Sequence, residues 1–202
     1  MSKEKPKSEG AEVDADGLAV QRYRSMVLVV VPARDYGDEC LRYARSSLYN
    51  VHIGTWSVSS RHEELIKGRL QDEFMVDGPL AGAAMEGYSG VIFAGGEGAL
   101  ELAANPDALR LAREAAKAGK LIGAWGHAAH VLAAAGIVKG RRLTGHPDSA
   151  AAVRAAGGKF TGRQLEVDGM LVTARDDAVG MRFGKALATI APPTAPSAPS
   201  AP

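Results

Sequence analysis

Cysteine is the scarcest chemically useful residue in this sequence: Cys40 stands alone among 202 residues. A lone cysteine closes no internal disulfide and supplies no thiolate cluster for structural zinc, so a reducing cytoplasm is the expected compartment. An excess of one charge is also missing. With 24 Lys and Arg against 23 Asp and Glu, the formal charge is +1, and no global field draws the chain to nucleic acid or to an anionic membrane. Long apolar runs are lacking too, since the longest, Met26 to Pro32, falls far short of the roughly 20 residues that span a bilayer. The polar start of the chain has no signal-peptide core, and export is not expected. Phosphate loops ending in Lys-Ser/Thr, Gly-x-Gly-x-x-Gly turns and His-Glu-x-x-His pairs are absent, which leaves nucleotide binding and zinc hydrolysis without support.

What is present suits one globular domain: 46% hydrophobic and 23% charged residues provide a sizeable core. Residues 1–22 mix Lys, Glu, Ser, Pro, Asp and Gly without apolar periodicity and read as a disordered arm. Residues 191–202, built from Ala, Pro, Ser and one Thr, read as a disordered tail or spacer. The folded unit is expected over 23–190. Its β-branched run at 26–32 has the pattern of a strand buried on both faces of a parallel sheet. A helix is predicted over 37–48, with Cys40, Leu41, Ala44 and Leu48 on one face, then strands over 51–58 and 90–94. Between those strands, only a short strand at 74–76 and a helical turn at 80–85 are placed. Asn105-Pro106 opens an amphipathic helix to Ala118. A strand over 121–125 passes directly into a helix that Gly136 ends. Farther on, Arg142 to Thr144 reads as extended. Asp168-Gly169 joins two apolar runs as a hairpin, and Asp176 opens a last helix. The fold class is therefore α/β: a three-layer sandwich with a mostly parallel central sheet and a small antiparallel annex.

In an open α/β sheet the site lies beyond the carboxyl ends of the strands, so the loops at Asp35, Gly95-Gly96 and Trp125-Gly126-His127 are expected to converge. The passage Leu-Ile-Gly-Ala-Trp-Gly-His-Ala-Ala has the form of a nucleophile elbow, a tight turn from strand into helix. Asp35 after the first strand, Phe93-Ala-Gly-Gly96, Gly123-Ala-Trp-Gly-His127, Leu143-Thr-Gly-His-Pro147 and Asp168-Gly-Met-Leu-Val-Thr-Ala-Arg175 follow one another in the order of a known family. In these motifs the chain resembles the DJ-1/PfpI family of the class I glutamine-amidotransferase-like superfamily, over 25–190, and the resemblance implies a flavodoxin-like sheet.

In that family the elbow carries cysteine, and the matching residue here is Gly126. Glycine offers no group to attack a carbonyl or to sense oxidants, and it relieves the backbone strain such elbows impose. Asp35 matches a family acid, usually Glu, that hydrogen-bonds the thiol; the isocyanide hydratase branch is similar in using Asp. Its structural alternative is a carboxylate at a helix N-terminus. His146 aligns with a histidine near the nucleophile and is the acid/base candidate. The backbone amides of Gly96 and His127 match the family's oxyanion hole, while Gly95, Glu97 and Trp125 are expected to line the pocket, with a core role as the alternative for Trp125. His130 reads as a packed or capping residue and Cys40 as a small core side chain. Neither a metal nor a cofactor is expected; His127 with His130, or Asp35 with His146, are the pairs weighed for a metal and set aside as structural.

Three functions fit these residues. The first is a Cys-less pseudoenzyme that binds a small molecule in an accessory role. The second is a lyase, hydratase or isomerase in which Asp35, with His146, moves protons on a small reactive metabolite. The third is an engineered nucleophile knockout of a cysteine enzyme. The resemblance also implies a homodimer, for which the apolar stretch at 41–49 is a candidate contact.

Overall fold

The computed structural model describes residues 23–192, so nearly all of the expected arm and tail lie outside the described residues. The chain folds around a seven-stranded sheet. Its strands in spatial order are β11 (Leu165–Asp168), β12 (Leu171–Ala174), β8 (Leu121–Trp125), β7 (Tyr88–Phe93), β1 (Ser25–Val30), β3 (Ile53–Ser59) and β6 (Gly78–Pro79). All pairings are parallel except that of β11 with β12, whose hairpin turns at Asp168-Gly169 with Gly169 at φ +59°.

Period-two alternation explains why β1 is apolar throughout: Val27 and Val29 face one core, Leu28 and Val30 the other. The first core lies under α1 (Asp38–Tyr49) and α6 (Gly180–Ile190), with Cys40, Leu41, Ala44, Leu48, Phe183 and Leu187 buried in it. The second lies under α2 (Ala99–Leu102), α3 (Pro106–Lys117), α4 (Ala129–Ala134) and α5 (Ala150–Ala155). α3 starts where Asn105 accepts hydrogen bonds from the amides of Asp107 and Ala108 at 3.0 and 3.1 Å, with Pro106 in the first turn.

Two small sheets complete the fold. β2 (Arg34–Tyr36), β4 (Ile66–Gly68) and β5 (Glu73–Phe74) form a lobe beside α1, with β4 and β5 antiparallel, and β9 (Arg142–Leu143) pairs with β10 (Lys159–Phe160). The helical turn expected at 80–85 is not formed; the amide of Ala83 donates to the Leu80 carbonyl in a turn with Gly82 at φ +76°. The apolar stretch at 41–49, the candidate dimer contact, is less exposed than expected. Leu41 and Leu48 are buried against the sheet, and Tyr49 is the large apolar side chain that this stretch leaves exposed. Among the described residues no helix is long and apolar enough to cross a membrane.

Candidate functional site

The bend after β8 is set by Gly126. Its φ of +56° lies in the left-handed region, which penalises a Cβ, and a short 3₁₀ turn, Gly126–Ala128, leads from it into α4. A Cβ built there would touch the Gly96 nitrogen at 3.7 Å and the Gly95 Cα at 4.0 Å, both ordinary contacts. Space for a side chain therefore exists, and the backbone angle alone favours glycine.

Close backbone approach brings the neighbouring loops to this bend. Gly96, at φ +101°, lies with its Cα against the Asp35 carbonyl and the Tyr36 backbone, and Gly95 lies against the Trp125 carbonyl. Gly37 donates its amide to the Gly95 carbonyl at 2.8 Å, and His146 donates its amide to the Gly126 carbonyl at 3.0 Å. The structure thus collects Asp35, Gly95, Gly96, Gly126, His127 and His146 at the carboxyl ends of β1, β7 and β8.

Asp35 is exposed, takes φ +51° in the middle of β2 and places its carboxylate 4.0 Å from Arg34. It is not the carboxylate at a helix N-terminus, because α1 begins only at Asp38 and another residue serves it. Asp177 accepts from the amides of Cys40 at 2.7 Å and Glu39 at 3.1 Å. Trp125 is 1% exposed and stacks edge-on against Phe183 with ring centroids 5.6 Å apart, so it belongs to the core and not to a pocket wall. Strand alternation explains this placement, since position 125 faces α1 and α6. Glu97 is exposed and close enough to His127 for its charge to be felt there.

Imidazoles dominate the rest of the site. The rings of His127 and His146 stack with centroids 4.1 Å apart and planes inclined by 23°, and His130 lies parallel to His127 at 6.5 Å. Burial, and then the neighbouring His146, push the His127 pKa below its ordinary value against the opposing pull of Asp148. Burial also lowers His130. His127 is therefore neutral at pH 7 and able to accept a proton or a hydrogen bond. Asp148 was missed from sequence, although Pro147 ahead of it signals a helix start: Pro147–Ser149 forms a 3₁₀ turn leading into α5. Its carboxylate lies 3.3 Å from His146 Nδ1 and 3.9 Å from His127 Nε2.

Cys40 lies on the other side of the sheet. Its side chain is 0% exposed, its Sγ donates weakly to the carbonyls of Asp176 and Asp177, and burial followed by the Asp177 charge pushes its thiol far above the usual range. It is a packed core residue. A groove of about 720 Å³ lies away from the bend, between α1 and the β2–β4–β5 lobe, lined by Tyr36, Arg42, Arg45, Tyr49 and Phe74 among others; none of the bend residues lines it.

The model of the DJ-1/PfpI family matches residues 26–190. An uncharacterized protein of Methanocaldococcus jannaschii is 27% identical over 161 residues, which cover 78% of each chain. Among solved structures, a ThiJ/PfpI domain protein from Brachyspira murdochii superposes with a TM-score of 0.77 at 18% identity, over 84% of this chain and 96% of its own. Drosophila melanogaster DJ-1beta superposes with a TM-score of 0.74 at 23% identity, over 83% and 90%.

Proposed function

Because the chain belongs to the DJ-1/PfpI family, we propose that it keeps the family scaffold without covalent catalysis and acts as a cytoplasmic, homodimeric binding or accessory protein for a small molecule. The observation that carries this reading is glycine at position 126, at the bend from β8 into the following helix. No sulfur or oxygen stands there to form a bond with a carbonyl carbon, and Cys40 is buried in the opposite core. What remains is suited to holding an anionic or carbonyl group: the backbone amides of Gly96 and His127 at the mouth of a 3₁₀ turn, with two imidazoles beside them.

Thiol labelling tests the reading. The parent chain is expected to leave iodoacetamide unreacted while folded and to be alkylated at Cys40 only after unfolding, whereas Gly126→Cys gains a thiol that labels in the folded state. Thiol-dependent turnover by the parent chain would overturn the proposal.

A second reading rests on Asp35. A residue other than glycine held at φ +51° against Gly96 is a backbone outlier of the kind that collects at working sites. In this reading Asp35, with His146, moves a proton for a lyase, hydratase or isomerase reaction. Asp35→Asn then lowers turnover by about 10²–10⁴-fold; in a binding protein the same change alters ligand affinity alone.

A further inference from the structure

We infer a divalent transition-metal site formed by His127, His146 and Asp148. Each of the three residues offers a ligand atom, and these atoms all lie within 4.8 Å of one another. Two of the three separations run to a single carboxylate oxygen: Asp148 Oδ2 is 3.3 Å from His146 Nδ1 and 3.9 Å from His127 Nε2. Metal–ligand bonds of about 2.0–2.1 Å set neighbouring ligand atoms about 3.3 Å apart in a tetrahedral site. The His146–Asp148 pair is already at that spacing, with Nδ1 accepting from the Asp148 amide at 3.4 Å, a weak bond that a metal would replace, and the His127–Asp148 pair is about half an ångström beyond it.

The backbone prepares this arrangement. His127 sits in the turn directly after β8 with its side chain only 14% exposed. His146 is tied to the same turn by its amide bond to the Gly126 carbonyl and is followed by Pro147, whose ring fixes the direction of the chain. The third ligand is the adaptable one, since the Asp148 carboxylate is 74% exposed. A cation shared between the two rings, stacked at 4.1 Å, and the carboxylate gains three ligand contacts at once. Two imidazoles and one carboxylate select borderline ions such as Zn²⁺ or Co²⁺ over Ca²⁺ or Mg²⁺. Three protein ligands at a solvent-facing position leave room for water in the coordination shell, as in catalytic zinc sites.

Titration of the full-length chain with Co²⁺ at neutral pH tests the site. One Co²⁺ per chain is expected, with visible d–d absorption that Zn²⁺ abolishes by displacement. His146→Ala and Asp148→Ala each weaken binding at least about tenfold, Asp148→Asn does likewise, and His62→Ala, a control at a partly exposed histidine in the loop before β4 and outside the cluster, leaves binding unchanged; circular dichroism verifies that each variant is folded. Absence of d–d absorption in the parent chain overturns the inference, as does equal affinity in the folded Asp148→Asn variant, or binding lost with His62. The readout uses the metal alone, so failure here leaves the small-molecule reading standing, and the reverse also holds.

Discussion

At Gly126 two demands can be separated because the space around the residue and its backbone angle point in different directions. A Cβ meets nothing closer than 3.7 Å, yet φ is +56°. Gly126→Cys or Gly126→Ala is therefore expected to lower stability by about 1–2 kcal/mol through backbone strain alone, measured as a lower urea midpoint with an unchanged slope. An equal or higher midpoint in either variant would show that the bend is relaxed. His127 carries a second expectation. Burial holds its folded pKa below the ordinary 6.5, so above about pH 6.5 the folded and unfolded chains are both neutral there and stability is full. As the pH falls through that value, the unfolded chain takes up a proton that the folded chain resists. Stability declines until the folded His127 is itself protonated. Unfolding at pH 7.5 and 5.5 with EDTA present should show this loss, and His127→Gln should reduce it; the remainder includes His130, which is shifted in the same direction.

Among the elements, α1 and α6 approach closely at Gly184. A Cβ at Gly184 would collide with the Tyr43 carbonyl and with Ser47 Oγ. Alanine is the better helix former by about 1 kcal/mol, so propensity argues for a gain and packing for a loss. Backbone on the opposing side cannot yield cheaply, and Gly184→Ala is expected to destabilise the protein by about 1–3 kcal/mol, read from thermal or urea unfolding. Elements with strong local signals were legible in the sequence: the two-faced run of β1, the Asn105-Pro106 cap of α3, the Asp168-Gly169 hairpin and the strand-to-helix passage at 125–126. Others left little or no trace, although β5 at Glu73–Phe74 overlaps the short strand expected at 74–76. β4, β5 and β6 are two or three residues long, too short to display alternation. The alanine-rich α5 has no apolar stripe distinct from its other faces. At the candidate site, motif order identified the loops, whereas at the start of α1, away from the site, Asp177 reaches Cys40 across 137 positions of sequence, a relation that no local pattern encodes. Trp125 read as pocket wall or core with equal ease until the face of β8 was known.

For the whole molecule, the sheet order and the similarity of 26–190 to one family determine the architecture but not the assembly. With Leu41 and Leu48 committed to the core, the outward face of α1 at 41–49 has little apolar surface left for a partner. The proposal of a homodimer is checked by light scattering at several concentrations: a mass near twice 21.0 kDa supports it and 21.0 kDa rejects it. Tyr49→Ser is expected to leave that mass unchanged if the contact lies elsewhere.

The sheet's rim at β6 bears on how this protein behaves when crowded. That strand is only Gly78–Pro79, and proline has no N–H to offer an incoming chain. Edge-to-edge templating is therefore blunted where β6 covers the end of β3, at Val58 and Ser59, and this protection does not extend to the earlier residues of that seven-residue strand.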